Sequence, residues 1–215
     1  RAYYNKIGTN IVRAIHASGT GSVVFLSSLG AHLPDKTGPV KGLRDVERKL
    51  DELDGVNLVI LRPTYFMENL LANIGLIKNM GITGSAIKGD RKFAMIATRD
   101  IAQVASEYLL KRDFSGRTVR ELLGERDVSM DEVANLLGEK IGRPDLKYVQ
   151  FSADEEKKGL MDYGLSDDAS DQMVELNQAI SDGLIAANLK RTTENTTPTT
   201  IEEFAGIFAD IYNKS

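Results

Sequence analysis

Cysteine is absent from the 215 residues, which excludes a disulfide framework and any thiolate metal site. Histidine occurs only as His16 and His32, too few imidazoles for an ordinary zinc enzyme. No apolar run approaches the roughly 20 residues of a membrane-spanning helix; runs such as Val23-Val24-Phe25-Leu26 and Phe93-Ala94-Met95-Ile96-Ala97 are only four and five residues long. No charge block is long enough to keep the chain solvated, and 42% of it is hydrophobic, so an extended disordered chain is excluded. A basic stripe able to follow nucleic-acid phosphates is also missing. The first 110 residues carry 14 basic against 10 acidic side chains, and the remainder 13 against 21. So small a basic excess in the first half suits an anionic ligand or mere surface scatter equally well. Lacking both cysteine and a signal peptide, the chain is expected in the cytoplasm.

What is present reads as layered α/β. Ile7, Ile11, Ala14 and Ile15 share a helical face that Ser18-Gly19 ends. Ser22 to Ser28 is a continuous apolar run of the kind that parallel sheets cover on both faces. Leu43, Val46, Leu50 and Leu53 recur at helical spacing before Asp54-Gly55, and Asn57 to Pro63 is a second buried strand. Strand, helix and strand at this spacing make a crossover with parallel, neighbouring strands. Tyr65 to Ile77 reads as helix, 81–89 as loop, Phe93 to Ala97 as a short strand, and Thr98 as the cap of another helix. Strands are expected at Thr118 to Leu123 and at Lys147 to Phe151. Capping boxes start helices at Ser129 with Glu132, Ser152 with Glu155 and Thr200 with Glu203. Thr192 to Thr200 is read as a loop. Because the chain opens on a helix leading into a buried strand, a preceding strand in a longer protein is expected.

In an open parallel sheet, ligands lie beyond the carboxyl ends of the strands. That directs attention to Ser27-Ser28-Leu29-Gly30 after one strand and Pro63-Thr64-Tyr65-Phe66 after the next. Hydroxyls there can hold a ribose or a polarised carbonyl, or simply satisfy backbone groups. Gly19-Thr20-Gly21 precedes its strand, the wrong order for a phosphate cradle. Ser27, Ser28 and His32 lack the Gly-x-Ser-x-Gly frame of a hydrolase. His16 reads as structural or solvent-facing, and Asn195-Thr196-Thr197 as a chance glycosylation triplet. Met67, with its aromatic neighbours, is read either as pocket wall or as plain core.

The string Val23 to His32, Leu61 to Leu71 with Phe66-Met67-Glu68-Asn69, Ala97 to Ala102, Leu122-Leu123-Gly124, Ser129 to Glu132 and Gly142 to Tyr148 resemble the NmrA-like family of atypical short-chain dehydrogenase/reductases. The resemblance implies a Rossmann-like doubly wound parallel sheet over 1–125, its N-terminal strands missing, with a smaller, mainly helical lobe over 126–215. It implies NADP(H) or NAD(H) as cofactor, with Ser27, Ser28, Leu29 and Gly30 near the nicotinamide ribose and Pro63, Thr64, Tyr65 and Phe66 beside the ring. His32, Lys41, Met67 and Asn69 would then belong to the substrate pocket. Two departures stand out. The glycine-rich strand-turn-helix that binds pyrophosphate, expected within the first roughly 70–90 residues of such a domain, is not found. Nor is Tyr-x-x-x-Lys, whose lysine lowers the tyrosine pKa for proton exchange; Lys41 and Arg44 are nearby cations that can substitute or simply face solvent. Hydride transfer itself comes from the cofactor. The resulting expectation is an NAD(P)H-dependent oxidoreductase of a quinone or other small conjugated carbonyl. The alternative is a non-catalytic NAD(P) sensor acting through a protein partner.

Overall fold

A computed structural model describes residues Arg1–Ser215. The chain runs α1 (Ala2–Ser18), β1 (Ser22–Leu26), α2 (Val40–Leu50), β2 (Asn57–Pro63), β3 (Tyr65–Phe66), a 3-10 helix (Met67–Asn73), α3 (Ile74–Met80), β4 (Ile82–Ser85), β5 (Phe93–Ile96) and α4 (Thr98–Lys111). There follow β6 (Arg117–Leu122), β7 (Asp127–Val128), α5 (Met130–Lys140), β8 (Lys147–Gln150), α6 (Ala153–Asp162), α7 (Asp167–Ser181) and α8 (Ile201–Lys214). β1, β2 and β6 form a parallel sheet in that order.

β2 is central, and its alternating side chains decide which helices lie where. Leu58 and Ile60 point to one face, where they pack with Ile15 of α1 and with Val46 and Leu50 of α2. Val59 and Leu61 point to the other, against Ile96, Ile101 of α4 and Leu122. All four β2 residues are at most 4% exposed, and burying each contributes about 1.5–3 kcal/mol. Both faces being apolar explains why the run does not alternate in sequence. Helices cover the sheet on both sides, the arrangement of a doubly wound Rossmann-like domain. No helix is long and apolar enough to cross a membrane.

A second core joins the 3-10 helix, β5, α5 and α8 through Met67, Leu70, Met95, Val133, Leu137 and Phe204. Here β4 pairs in parallel with β8, and β5 bridges β3 and β7. Asp100 fastens this lobe to α4: its carboxylate accepts from the Thr199 amide at 3.0 Å and the Thr199 hydroxyl at 2.6 Å.

Several local expectations are corrected. Tyr65 to Ile77 is not one helix; Tyr65 and Phe66 first pair with Met95 and Ile96. The 81–89 segment is not all loop, because Ile82–Ser85 finds a partner in a strand 65 positions later in the chain, Ile82 opposite Lys147. The α4 cap is Ala97, without a side-chain bond. Thr98 lies inside the first turn, and Glu68 of the 3-10 helix accepts its amide at 3.0 Å and its hydroxyl at 2.6 Å. Ser152 and Thr200 make full reciprocal boxes. Ser129 accepts from the Glu132 amide, but the Glu132 carboxylate is drawn away to Arg126 at 2.6 Å.

Candidate functional site

The sheet ladder continues beyond β1 and carries three chain segments to one rim. The Ser27 amide donates to the Leu61 carbonyl at 2.8 Å, the Leu29 amide to Pro63 at 2.8 Å, and the Thr64 amide to Leu122 at 3.0 Å. Proline at the end of β2 lacks the N–H that would prolong the strand, so the chain turns there. The three tips open into a cleft of about 420 Å³, within the usual size of small-molecule sites.

Ser27, Ser28, Leu29, Pro63, Thr64, Tyr65, Phe66 and Asn69 all line this cleft. Ser28 donates its hydroxyl to the Leu29 carbonyl at 3.0 Å. The Ser27 and Thr64 hydroxyls, in contrast, are sealed from solvent and have no partner in the protein. Leaving a buried hydroxyl unpaired costs about 1–3 kcal/mol, and two such groups stand on adjacent strand tips. Tyr65 packs edge-on against Phe93, centroids 5.6 Å apart. Burial pushes its phenol above the ordinary value, and Tyr148 and Glu156 nearby add to the rise. Tyr65 is therefore a neutral hydroxyl and not a phenolate at physiological pH.

The remaining candidates lie elsewhere. Met67 is 2% exposed and belongs to the core of the second lobe. Gly30, at φ 92°, lies under Ile185 outside the lining, where a Cβ would come within 2.9 Å of Ile185. His32 is exposed and away from the cleft; its carbonyl accepts from Arg44 at 2.8 Å. Lys41 donates to both carboxylate oxygens of Glu175, at 3.0 and 2.8 Å, and lies 3.6 Å from Asp35. Both cations near the expected lysine position are thus occupied by the scaffold.

The opposite wall comes from α7 and the segment after it. Met173, Leu176, Asn177 and Ile180 face the cleft at i, i+3, i+4 and i+7 spacing, followed by Ile185 and Leu189. That spacing is the signal that could have revealed them. At the mouth, Arg191 is paired with Asp127, while Arg91 and Lys92 make no ion pair. No group of three or more acidic or imidazole side chains is arranged to hold a metal.

Behind Asn177 lies a buried polar cluster. Glu156, 8% exposed, accepts at one oxygen, Oε1, from the Ala86 amide at 3.0 Å and the Asn177 amide at 2.8 Å. Its other oxygen, Oε2, has no partner. Burial raises its pKa above 4.5, the two N–H donors pulling back. Tyr148, which donates to the Ile87 carbonyl at 2.6 Å, is pushed up to about 12, mainly by burial. Between the ordinary carboxylate value and the raised one, the folded state binds more protons at Glu156 than the unfolded state, so stability falls as pH rises through that window. Glu156→Gln removes this slope. Thermal unfolding should therefore show the variant gaining on the parent as pH rises above the ordinary carboxylate value; parallel pH profiles would contradict an elevated Glu156.

Relatives carry the same frame. No family model matches the chain. Prestalk A differentiation protein A of Dictyostelium discoideum is 30% identical over 156 residues, 70% of this chain and 50% of that protein. Agroclavine dehydrogenase of Claviceps fusiformis is 28% identical over 177 residues, 80% of this chain and 60% of that enzyme. The chain thus spans 50–60% of the length of these two curated relatives. Among solved structures, an Escherichia coli NADPH-dependent quinone oxidoreductase complexed with NADPH superposes with a TM-score of 0.78 at 23% identity, over 93% of this chain and 70% of that one. NmrA, a negative transcriptional regulator in complex with NADP, superposes at 0.70 with 13% identity, over 98% and 71%.

Proposed function

We propose that this chain, NmrA-like in its fold and in its sequence kinship, forms the nicotinamide and substrate cleft of an NAD(P)H-dependent oxidoreductase acting on a quinone or another small conjugated carbonyl. The observation that carries the reading is the pair of unpartnered, buried hydroxyls, Ser27 Oγ and Thr64 Oγ1, on neighbouring strand tips of one mostly apolar cleft. Both hydroxyls lie beneath the cleft surface on residues that line it, and rotation about χ1 would turn either toward a nucleotide sugar or carboxamide, which offers the hydrogen-bonding groups they lack. The residues present therefore fit the nicotinamide end of such a cofactor. Ser27, Ser28 and Leu29 would hold the ribose side, and Pro63 to Phe66 the ring side. When bound, the cofactor supplies the hydride.

The chain's own residues do the rest. Phe66, Phe93, Leu176 and Ile180 keep water from the acceptor. Tyr65, neutral and lining the same wall, offers a hydroxyl to a carbonyl oxygen without needing to ionise. Arg91 and Lys92 set a positive field at the mouth, which draws anionic molecules toward it. The proton for a reduced quinone comes from water, since no Tyr–Lys pair is available.

Titration of the intact protein with NADPH, followed by fluorescence, and turnover across a panel of quinones test this reading. Binding with quinone-dependent NADPH oxidation is expected; absence of nucleotide binding would overturn it. A sharper expectation concerns Thr64→Val. Deleting an unpaired buried hydroxyl at nearly constant volume should raise the stability of the nucleotide-free protein by about 1 kcal/mol while weakening NADPH binding. Loss in both, or gain in both, would show that Thr64 does not wait for a ligand.

One observation favours a sensing role instead: Lys41 and Arg44 are committed to Glu175 and to loop carbonyls, so neither is free to pair with Tyr65 in the cleft. Nucleotide binding without turnover on any acceptor, together with nucleotide-dependent capture of a defined protein partner, would establish that reading.

A further inference from the structure

Asn177 is 7% exposed and lines the cleft, yet only half of its amide is used by the protein. Its Nδ2 donates to Glu156 Oε1 at 2.8 Å. The amide cannot be turned over. Oε1 already accepts the Ala86 N–H, so a reversed Asn177 would set oxygen against oxygen. A proton taken up by Glu156 goes to Oε2, the oxygen without partners, and leaves Oε1 an acceptor. Whatever its charge, Glu156 therefore holds Nδ2 inward and Oδ1 outward. No protein group donates to Oδ1. The sealed, unpartnered side-chain atoms are Ser27 Oγ, Thr37 Oγ1, Thr64 Oγ1 and Glu156 Oε2; Asn177 Oδ1 is not among them, so it is reached from the cleft.

From this we infer that Asn177, positioned by Glu156, is a specificity-determining acceptor, and that the substrate carries an O–H or N–H donor on its conjugated frame. The inference rests on the oxidoreductase reading and narrows its substrate class. A fixed acceptor in an apolar wall discriminates in a way that apolar contacts do not. A ligand with a donor recovers a hydrogen bond there, whereas one without it strips water from Oδ1 and returns nothing. Glu156 is a positioning residue in this scheme, since it does not itself line the cleft.

The test compares 2-methylamino-1,4-naphthoquinone with its 2-dimethylamino counterpart, which keeps the amino substituent but removes the N–H. Dissociation constants are measured by calorimetry on the intact protein with NADP present. The parent should favour the N–H compound by about tenfold, the worth of one hydrogen bond in such a site. Asn177→Leu should bring the ratio close to one with NADP affinity unchanged. Glu156→Leu, which leaves the Asn177 amide free to turn, should shrink the preference, whereas Glu156→Gln, whose Oε1 still accepts from Ala86 and from Asn177, should keep it. A ratio near one in the parent, which needs no variant, overturns the inference. So does a preference that survives Asn177→Leu, or a loss of NADP affinity in that variant, which would assign Oδ1 to the cofactor's carboxamide. An intact N–H preference in a protein that binds no nucleotide would overturn the cofactor reading and leave this one standing.

Discussion

Glu47→Ala is expected to lower the unfolding free energy by about 3 kcal/mol. Glu47 lies on α2 and is 3% exposed. Its two carboxylate oxygens receive Nε and Nη2 of Arg62 at 3.0 and 2.5 Å, a two-pronged pair between helix and strand. The Arg62 guanidinium makes no other hydrogen bond, and the side chain is 12% exposed. Truncating the carboxylate strands a guanidinium in the interior, and that uncompensated charge, not the worth of the pair, sets the size of the loss. Asp51 and Glu121 act on Arg62 from further away and hold the effect near the lower end of the 3–5 kcal/mol (approximately) found for broken buried pairs. Replacing both partners with apolar residues, Glu47→Leu with Arg62→Met, should restore most of the stability. Urea midpoints for the three proteins decide it; a loss under about 1 kcal/mol for Glu47→Ala would mean that water reaches Arg62. The site should feel the change as well. Arg62 immediately precedes Pro63, and the pair ties α2, which brings Val40 and Leu43 to the cleft, to the strand tip that brings Thr64.

That pair was invisible in the sequence, where Glu47 reads as one more polar residue on an amphipathic helix. What could be read was whatever one segment decides alone. Val23 to Leu26 and Leu58 to Leu61 are apolar without alternation because sheet β1-β2-β6 is covered on both faces. Ser152 and Thr200 start helices because each finds its glutamate three residues on. The start of α7 escaped notice because Ser166 caps it with Ala169 at that position, so no reciprocal carboxylate marks it. The strand Ile82–Ser85 escaped because its pairing depends on β8, far along the chain.

The same division runs through the cleft. Its strand-tip half was legible, since the ends of two neighbouring parallel strands must meet at one rim. Its α7 half was not, because nothing in Met173, Leu176, Asn177 and Ile180 says which core their stripe faces. Met67 shows the converse error of proximity. It follows Tyr65 and Phe66, but the chain enters a 3-10 helix there and turns the side chain into the second core. Lys41 and His32 were near the site in sequence only; Glu175, on α7, claims the lysine.

Gly124→Ala tests whether the floor of the cleft has any slack, and a loss of about 3 kcal/mol is expected. Gly124 follows Leu123, whose carbonyl accepts the Thr197 amide and hydroxyl, both at 2.8 Å, and whose amide donates to Asn195 at 2.7 Å. Those bonds fix the backbone on one side. On the other, a Cβ would overlap the Met95 carbonyl and lie 3.3 Å from the Ile96 Cα. These are backbone atoms of β5, which cannot swing aside as a side chain tip does, and Met95 and Ile96 are 1% and 0% exposed. The strand itself must move, and Tyr65, paired with Met95, moves with it. NADPH and quinone binding should therefore weaken together with stability. Gly206→Ala is the matched control: it lies within α8 with open space around the added carbon, and alanine there should stabilise by about 0.5–1 kcal/mol. If urea midpoints rank the two variants alike, the close approach of Gly124 to β5 is not what holds Leu123 against the cleft.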